Sequence, residues 1–271
     1  MRTYKDREIK IMGIVNLTDD SYFADSRCSD AEAALKRIGE MVKNGADIID
    51  IGACSTRPGS IPVGEDEEWR RLSAVLPLIK RAHPDLIISI DTYWASVVQK
   101  AYDLIGPFIV NDISSGEDDP AMLPTVGCLG LEYIAMHKRG NPLTMQNLTN
   151  YDDVVEDVRG YFQRFAVKAQ EYGIKDWILD PGFGFAKTID QNYTLLSKLS
   201  HLKTEYSGHS PLVLVGVSRK SMIYRLLDIT PDEALPATQA LHMAALINGA
   251  DILRVHDVKE ASQVVKMFAK L

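Results

Sequence analysis

The sequence has few cysteines, no cluster of basic residues and no long apolar run, and each of these absences excludes a class of protein. Its three cysteines, Cys28, Cys54 and Cys128, lack the spacing of a metal site, and their odd number predicts a reducing, cytoplasmic compartment rather than a disulfide framework. A net charge of −7 without a basic block argues against nucleic acid as a partner. No apolar run approaches the roughly 18 residues that span a bilayer. The charged residues at 1–8 are unlike a signal peptide, so we expect no attachment to a membrane.

The composition is that of an ordinary globular protein, with 271 residues, of which 46% are apolar and 25% charged. Short apolar stretches alternate with longer charged stretches of helical periodicity, which is typical of parallel strands joined by crossover helices. Eight predicted strands that alternate with eight predicted helices favour a single (β/α)₈ TIM barrel, an α/β domain over residues 1–271. An open doubly wound sheet is the alternative. The predicted strands lie near residues 9–15, 47–52, 86–90, 108–110, 131–136, 177–179, 212–217 and 252–255. The predicted helices lie near residues 30–43, 65–81, 93–102, 120–126, 151–172, 190–200, 235–248 and 259–271.

A polar residue follows each predicted strand. In a parallel barrel the C-terminal ends of the strands converge on one face, where the βα loops build the active site. Polar residues also cap helices, but capping alone does not explain eight consecutive strands that end in this way. We therefore expect the site at this face, built from Asn16, Ser55-Thr56-Arg57, Asp91, Asn111, Asp112, His137, Asp180, Ser218-Arg219-Lys220, Arg254 and His256.

The stretch 178–188 ends an apolar run on a carboxylate, because Asp180 is followed by Pro181 and Gly182, which discourage a strand from continuing. A buried carboxylate is costly unless something satisfies it, so Asp180 predicts a turn, a cap or a ligand. The glycines also suggest a nucleotide phosphate loop. That pattern needs Gly directly before the Lys, whereas Ala186 precedes Lys187 here, so we set it aside.

Eight short motifs lie at or just after the predicted strand ends, spread over nearly the whole chain. They are Met12-Gly-Ile-Val-Asn16, Asp50-Ile-Gly52-Ala-Cys-Ser55-Thr56-Arg57-Pro58, Ser89-Ile-Asp91-Thr92, Val110-Asn111-Asp112, Met136-His137, Leu179-Asp180-Pro181-Gly182-Phe-Gly-Phe185, Gly216-Val-Ser218-Arg219-Lys220 and Arg254-Val-His256-Asp257. These motifs resemble those of the dihydropteroate synthase family, in the same order. One such motif would be a weak signal, but the ordered set is specific. The resemblance implies a transferase of folate biosynthesis, which joins 6-hydroxymethyl-7,8-dihydropterin pyrophosphate to p-aminobenzoate with the help of Mg²⁺ and is inhibited by sulfonamides.

The resemblance also implies three groups of site residues. A pterin ring presents ring nitrogens, an amine and a carbonyl, which suits carboxylates, an amide and a lysine. A pyrophosphate needs cations, and Mg²⁺ prefers an oxygen ligand, for which Asn16 is the implied residue. An aromatic ring such as that of p-aminobenzoate needs flat apolar walls. The implied pterin residues are Asp91, Asn111, Met136, Asp180, Gly216 and Lys220; the pyrophosphate residues are Asn16, Thr56, Arg254 and His256; and the p-aminobenzoate residues are Thr56, Arg57, Pro58, Phe185, Ser218 and Lys220.

The first loop departs from the family pattern. Asp19 stands where the family has Pro, Ala24 stands where it has the loop aspartate, and Asp25 follows one position later. Loss of Pro and of glycines changes the allowed backbone, so the conformation of the segment 19–26 is an open question. Cys54 replaces a more usual Glu or Tyr, and we expect it to be a structural thiol.

Three other functions remain open at this point. They are a pterin-binding paralogue without catalysis, a methyltransferase-like barrel that moves a methyl group from methyltetrahydrofolate to a corrinoid protein, and an unrelated phosphate-handling barrel. The resemblance also implies a homodimer through the last helices. The segments 241–246 and 264–268 are apolar enough for an interface, although the same residues would also cover the barrel.

Overall fold

The computed structural model describes residues 8–17, 27–53, 64–140 and 144–271, with the backbone alone over residues 27–30 and at residue 146. Strands and helices alternate along these ranges. The strands are β1 (Lys10–Asn16), β2 (Ile48–Gly52), β3 (Ile87–Asp91), β4 (Ile109–Asp112), β5 (Glu132–Met136), β6 (Trp177–Asp180), β7 (Leu214–Val215) and β8 (Ile252–Val255). The helices are α1 (Arg27–Lys43), α2 (Glu65–Ala82), α3 (Ala95–Ile105), α4 (Met122–Leu129), α5 (Val154–Glu171), α6 (Ile189–Ser197), α7 (Ser221–Leu227), α8 (Leu235–Ile247) and α9 (Val258–Phe268).

The eight strands form one parallel sheet in the order β6-β5-β4-β3-β2-β1-β8-β7. The two outer strands of that order meet through a parallel bridge between Leu179 and Val213, and the Leu179 amide donates to the carbonyl of Leu212 at 2.9 Å. This contact closes the sheet into a barrel. The prediction of a (β/α)₈ barrel is therefore confirmed, and the doubly wound alternative is wrong because an open sheet has no such closure.

Several helix ends differ from the sequence-based prediction by up to three residues, and two elements, β7 and α7, differ in ways that the structure explains. β7 is confined to Leu214–Val215 instead of residues 212–217, because the amide of Val213 donates to the side chain of Asp251 at 2.9 Å rather than to a neighbouring strand. The short helix α7 was not predicted. It has only seven residues, and its N-cap Lys220 makes no side-chain capping bond, so the sequence carries no strong start signal there.

The barrel interior contains a separate layer of buried apolar side chains from seven of the eight strands. Because side chains alternate along a strand, the residue two positions further on points into the barrel again, one layer closer to the C-terminal face. The polar site begins directly above the apolar layer for this reason. The members of the layer are Met12, Ile48, Ile109, Ile134, Ile178, Leu214 and Ile252.

Candidate active site

The residues two positions after the interior layer form the floor of the candidate site. Five of the predicted residues occupy such positions, and the alternation of the strands brings them together without help from the loops. Asp91 and His256 come from the layer above, at the ends of β3 and just beyond β8. The five floor residues are Asn111, Met136, Asp180, Gly216 and Arg254.

Asp50 lies at the centre of this floor, although sequence reasoning assigned it no role. Its side chain is fully buried, and it accepts hydrogen bonds from Ser89 Oγ at 2.6 Å, Asn111 Nδ2 at 3.0 Å and Arg254 Nε at 2.7 Å. The bond to Asn111 leaves the amide oxygen of that residue without a hydrogen-bond partner among the described residues. Asp50 thus links the amide proposed for the pterin to the guanidinium proposed for the pyrophosphate. The signal in the sequence was a lone carboxylate inside an otherwise apolar strand, Ile48–Gly52.

Arg254 is held by two carboxylates. Its Nη2 lies 2.6 Å from Asp50 Oδ2 and 2.9 Å from Asp91 Oδ2. Burial acts to lower the pKa of Arg254, but the two carboxylates outweigh it, so the net shift is upward and the guanidinium stays charged. Burial raises the pKa of Asp91 to about 7, while Arg254 opposes this rise and Asp50 adds to it. The three groups form one buried charge network rather than separate ligands.

Asp180 and Lys220 face each other across the floor. Asp180 Oδ1 accepts the Gly182 amide at 2.8 Å, and Oδ2 has no hydrogen-bond partner in the described ranges. Burial raises the pKa of Asp180, and the Lys220 ammonium opposes the rise. Burial in turn lowers the pKa of Lys220 to about 8, which Asp180 opposes. The Lys220 ammonium lies beside Gly216, 3.9 Å from where a Cβ on that glycine would be.

Lys220 also contacts the turn after β6. Its Nζ donates to the carbonyl of Phe183 at 2.6 Å and lies 5.0 Å from the centre of the Phe185 ring. That distance is within the range of a cation–π contact. Phe185 is partly exposed, whereas Phe183 is fully buried in the core. The structure therefore brings Phe185 and Lys220 together, as predicted, and keeps the Phe185 ring accessible.

His256, just beyond β8, pairs with Ser218, just beyond the neighbouring strand β7. Its Nδ1 lies 3.0 Å from Ser218 Oγ, and its backbone amide donates to the same oxygen at 3.3 Å. Burial lowers the pKa of His256 to about 4, and the neighbouring Arg254 adds to that effect, so the ring is neutral at neutral pH. Arg219, between Ser218 and Lys220, points away from this pair and forms an ion pair with Asp257 through Nε at 2.8 Å.

Asn16 lies at the end of β1 beside an open space. A Cβ added to Gly52 would lie 3.5 Å from Asn16 Oδ1 and 3.6 Å from Asp91 Oδ2, so the missing side chain leaves room between the two oxygens. Among the described residues, no group of three or more His, Cys, Asp and Glu side chains is arranged as a metal site. A cation here would have one amide oxygen from this chain as its clearest ligand and would need further oxygens from water or substrate.

Some predicted residues lie outside the described ranges. Thr56, Arg57, Pro58 and Cys54 fall within residues 54–63, and the atypical first loop falls within residues 18–26. Their predicted roles remain predictions. Cys128, the one cysteine whose side chain is described, is exposed. None of the helices in the described part of the chain is long and apolar enough to cross a membrane.

This site geometry agrees with a comparison to known protein families. The sequence pattern of the pterin-binding enzymes matches residues 12–256 of the chain. The chain belongs to the pterin-binding enzyme family. This pterin-binding enzyme is 43% identical over 260 residues to the dihydropteroate synthase of Synechocystis sp., covering 95% of this chain and 88% of that relative. It is 39% identical over 270 residues to the folic acid synthesis protein fol1 of Pneumocystis carinii, covering 98% of this chain. The chain spans only 36% of the length of fol1, which is a longer protein.

Solved structures of similar proteins share the fold of this pterin-binding enzyme. The Yersinia pestis dihydropteroate synthase in complex with a sulfonamide drug superposes with a TM-score of 0.89 at 35% identity, covering 98% of this chain and 94% of that one. The Clostridium difficile dihydropteroate synthase in the presence of pteroic acid superposes with a TM-score of 0.88 at 36% identity, covering 100% of this chain and 98% of that one. The Xanthomonas albilineans dihydropteroate synthase with 4-aminobenzoic acid superposes with a TM-score of 0.87 at 33% identity, covering 98% of this chain and 93% of that one.

Proposed function

We propose that this pterin-binding enzyme is a dihydropteroate synthase. It joins 6-hydroxymethyl-7,8-dihydropterin pyrophosphate to p-aminobenzoate, giving 7,8-dihydropteroate and pyrophosphate. The observation that carries the proposal is the mouth of the barrel, where hydrogen-bond acceptors for a pterin, the partly buried cations Arg254 and Lys220, and the accessible aromatic ring of Phe185 lie on one face. Relatives that carry this name and align over nearly the whole chain support it.

The pterin binds on the floor between Asn111 and Asp180. The amide oxygen of Asn111 and Oδ2 of Asp180, which have no hydrogen-bond partner among the described residues, accept the ring N–H groups and the exocyclic amine. The Lys220 ammonium donates to the pterin carbonyl or a ring nitrogen. Met136, directly beside Asp180 in the β5–β6 register, gives the flat ring an apolar contact, and Asp91 closes the pocket.

The pyrophosphate binds at Arg254 and His256, which lie two residues apart and therefore on the same side of the chain. Arg254 carries a fixed positive charge. His256 is neutral in the free protein, and a bound anion raises the pKa of its ring. Thr56 is proposed as a third ligand on the basis of the family resemblance.

The p-aminobenzoate ring lies against Phe185, with Lys220 and Ser218 nearby. Arg57, Pro58 and Thr56 are proposed to complete this pocket from the loop after β2. Sulfonamides resemble p-aminobenzoate in shape, so we infer that they bind the same pocket and inhibit this protein; the sulfonamide complex of the Yersinia pestis enzyme supports sulfonamide binding.

The chemistry needs positioning and charge stabilisation rather than a covalent nucleophile. The bond between the pterin methylene carbon and the pyrophosphate oxygen breaks, the amine nitrogen of p-aminobenzoate bonds to that carbon, and the nitrogen releases a proton. Arg254 and His256 stabilise the negative charge that develops on the leaving pyrophosphate. Mg²⁺, proposed to bind through Asn16, supplies further positive charge when it is bound.

Two finer properties are part of the proposal. We infer a homodimer, because Leu226 and Leu227 of α7, Ile247 of α8 and Met267 of α9 remain exposed on consecutive helices, whereas Leu246 and Phe268 cover the barrel. Sedimentation at micromolar concentration measures this directly. We also infer a cytoplasmic location, which suits the odd number of cysteines in the sequence.

The pterin ring and the pyrophosphate group of the substrate are assigned to different residues, so each assignment can be tested with a variant of its own. Asp180→Asn should weaken binding of the pterin pyrophosphate and of the hydroxymethylpterin without phosphates to a similar degree. His256→Ala should weaken only the pyrophosphate ester, because its described side-chain bond is to Ser218 rather than to the pterin floor. Calorimetric titration of both ligands separates these effects. Unchanged pterin affinity in Asp180→Asn would contradict the assigned pterin site.

A further inference from the structure

Lys187 is a buried lysine without a role in the site described above. Its ammonium lies behind the turn that follows β6, where three acceptors surround it. Nζ donates to the carbonyl of Gly182 at 2.9 Å, to the carbonyl of Phe185 at 3.1 Å and to His137 Nδ1 at 2.9 Å. A lysine ammonium has three N–H groups, so each acceptor takes one of them.

His137, the residue directly after β5, is neutral and can accept this contact. Burial lowers the pKa of His137 well below its ordinary value, and the charged Lys187 lowers it further, so the ring is neutral. A neutral imidazole has one nitrogen free to accept, and the Lys187 contact makes that nitrogen Nδ1. Burial lowers the pKa of Lys187 to about 7, while the Asp180 carboxylate opposes this fall. Lys187 donates to all three acceptors only when it is an ammonium.

The turn 182–185 is held from two sides by two lysines. Lys187 donates hydrogen bonds to the carbonyls of Gly182 and Phe185 on the side of the turn away from the site. Lys220 donates a hydrogen bond to the carbonyl of Phe183 on the side that faces the site. The backbone of the turn packs closely on the residue after β5, since a Cβ at Gly182 would lie only 1.9 Å from the carbonyl oxygen of His137 and only glycine fits there. When Lys220 turns to a bound substrate, Lys187 is the lysine that continues to hold the turn.

A plain packing role does not account for this arrangement. An apolar side chain of the same length would fill the space without the cost of burying a charge, but it would remove the described donor of the Phe185 carbonyl and of His137 Nδ1. The Gly182 carbonyl would keep only the Phe185 amide, which donates to it at 3.1 Å. The contacts of Lys187 are therefore with backbone atoms that set the direction of the Phe185 side chain. They do not include any group that we assign to substrate binding.

We propose that Lys187 is a positioning residue for the second substrate, because it fixes the turn 182–185 and thereby places the Phe185 ring against p-aminobenzoate. The inference rests on the proposed function, which assigns p-aminobenzoate to Phe185. Lys187 acts only through that ring and does not contact either substrate.

The test compares Lys187→Met with the wild-type enzyme in steady-state kinetics. We expect the KM for p-aminobenzoate to rise about tenfold, as for the loss of one hydrogen bond to a charged group, and the KM for the pterin pyrophosphate to change less than about twofold. Lys187→Gln keeps two N–H donors and should show a smaller rise in the KM for p-aminobenzoate. If Lys187→Met does not fold, Lys187→Gln replaces it in the test. Lys175→Met, an exposed lysine just before β6, is the matched control and should behave as wild type.

A double-variant cycle tests whether Lys187 acts through Phe185. In a Phe185→Ala background, Lys187→Met should cause little further rise in the KM for p-aminobenzoate. Additive effects, an unchanged KM in both Lys187 variants, or equal rises for the two substrates would overturn the proposal. If wild-type enzyme forms no product, the proposed function fails, and this result is distinct from a kinetic change confined to the variants.

Discussion

The replacement Asp50→Asn probes the buried charge network under the pterin floor. Asp50 accepts from three donors, which are Ser89 Oγ, Asn111 Nδ2 and Arg254 Nε. An asparagine can still accept from Ser89, but its own amide N–H groups then face two other donors. The variant therefore loses its bonds to Asn111 and Arg254 and leaves Arg254 with Asp91 as its remaining described carboxylate.

We expect Asp50→Asn to lower the free energy of unfolding by about 3 kcal/mol. Removing one partner of a buried ion pair typically costs about 3–5 kcal/mol, and the lower end applies because Arg254 keeps its contact with Asp91. In a chain of this size the loss corresponds to a fall in melting temperature of roughly 6–10 °C. Binding of the pterin pyrophosphate should weaken at least about tenfold, since both Asn111 and Arg254 lose their anchor.

Urea unfolding and calorimetric titration measure the two effects, with Ser89→Ala as the matched control. That control removes a single hydrogen bond to Asp50 and should cost only about 1 kcal/mol. The role of Asp50 is refuted if the free energies of unfolding of Asp50→Asn and Ser89→Ala differ by less than about 0.5 kcal/mol, or if Asp50→Asn binds the pterin pyrophosphate as tightly as wild type. Either result would show that Asp50 does not hold the pterin and pyrophosphate subsites together.

Two further predictions concern the turn after β6 and the histidines. Gly182→Ala should destabilise the fold by more than about 2 kcal/mol relative to Gly184→Ala in urea unfolding, because both glycines have positive φ but only at Gly182 would the Cβ overlap a carbonyl; equal losses would contradict this. Burial lowers the pKa of His242 to about 4, so below pH 6.5 this side chain binds more protons in the unfolded chain than in the folded one. The contribution of His242 to stability should therefore fall by about 3 kcal/mol as the pH drops from 6.5 to 4. His242→Gln should flatten that slope, and an unchanged slope would show that His242 is not the group responsible.

Much of the fold was predictable, because strand periodicity and strand order are local properties of the sequence. All eight strands occur near their predicted positions, and most boundaries differ by one or two residues. β7 was predicted too long because its end depends on the side chain of Asp251, which lies 38 residues further along the chain. Such long-range pairing has no signature in a local pattern.

The candidate site was predictable where a residue lies directly at a strand end. Asp91, Asp180 and Arg254 were found in this way, and the structure brings them to one face. Asp50 was missed because it lies inside its strand and not at the strand end, where the other site residues were sought. Lys187 was considered only as a phosphate-loop lysine, since its partner His137 lies 50 residues earlier and only the fold brings the two together.

Formation of product decides whether the chain is a dihydropteroate synthase. Purified protein mixed with Mg²⁺, 6-hydroxymethyl-7,8-dihydropterin pyrophosphate and p-aminobenzoate should form 7,8-dihydropteroate and release pyrophosphate in equal amounts. Asp180→Asn, assayed in parallel, should form far less of both products. Pterin binding without release of pyrophosphate would instead show that the barrel binds a pterin but does not catalyse the reaction.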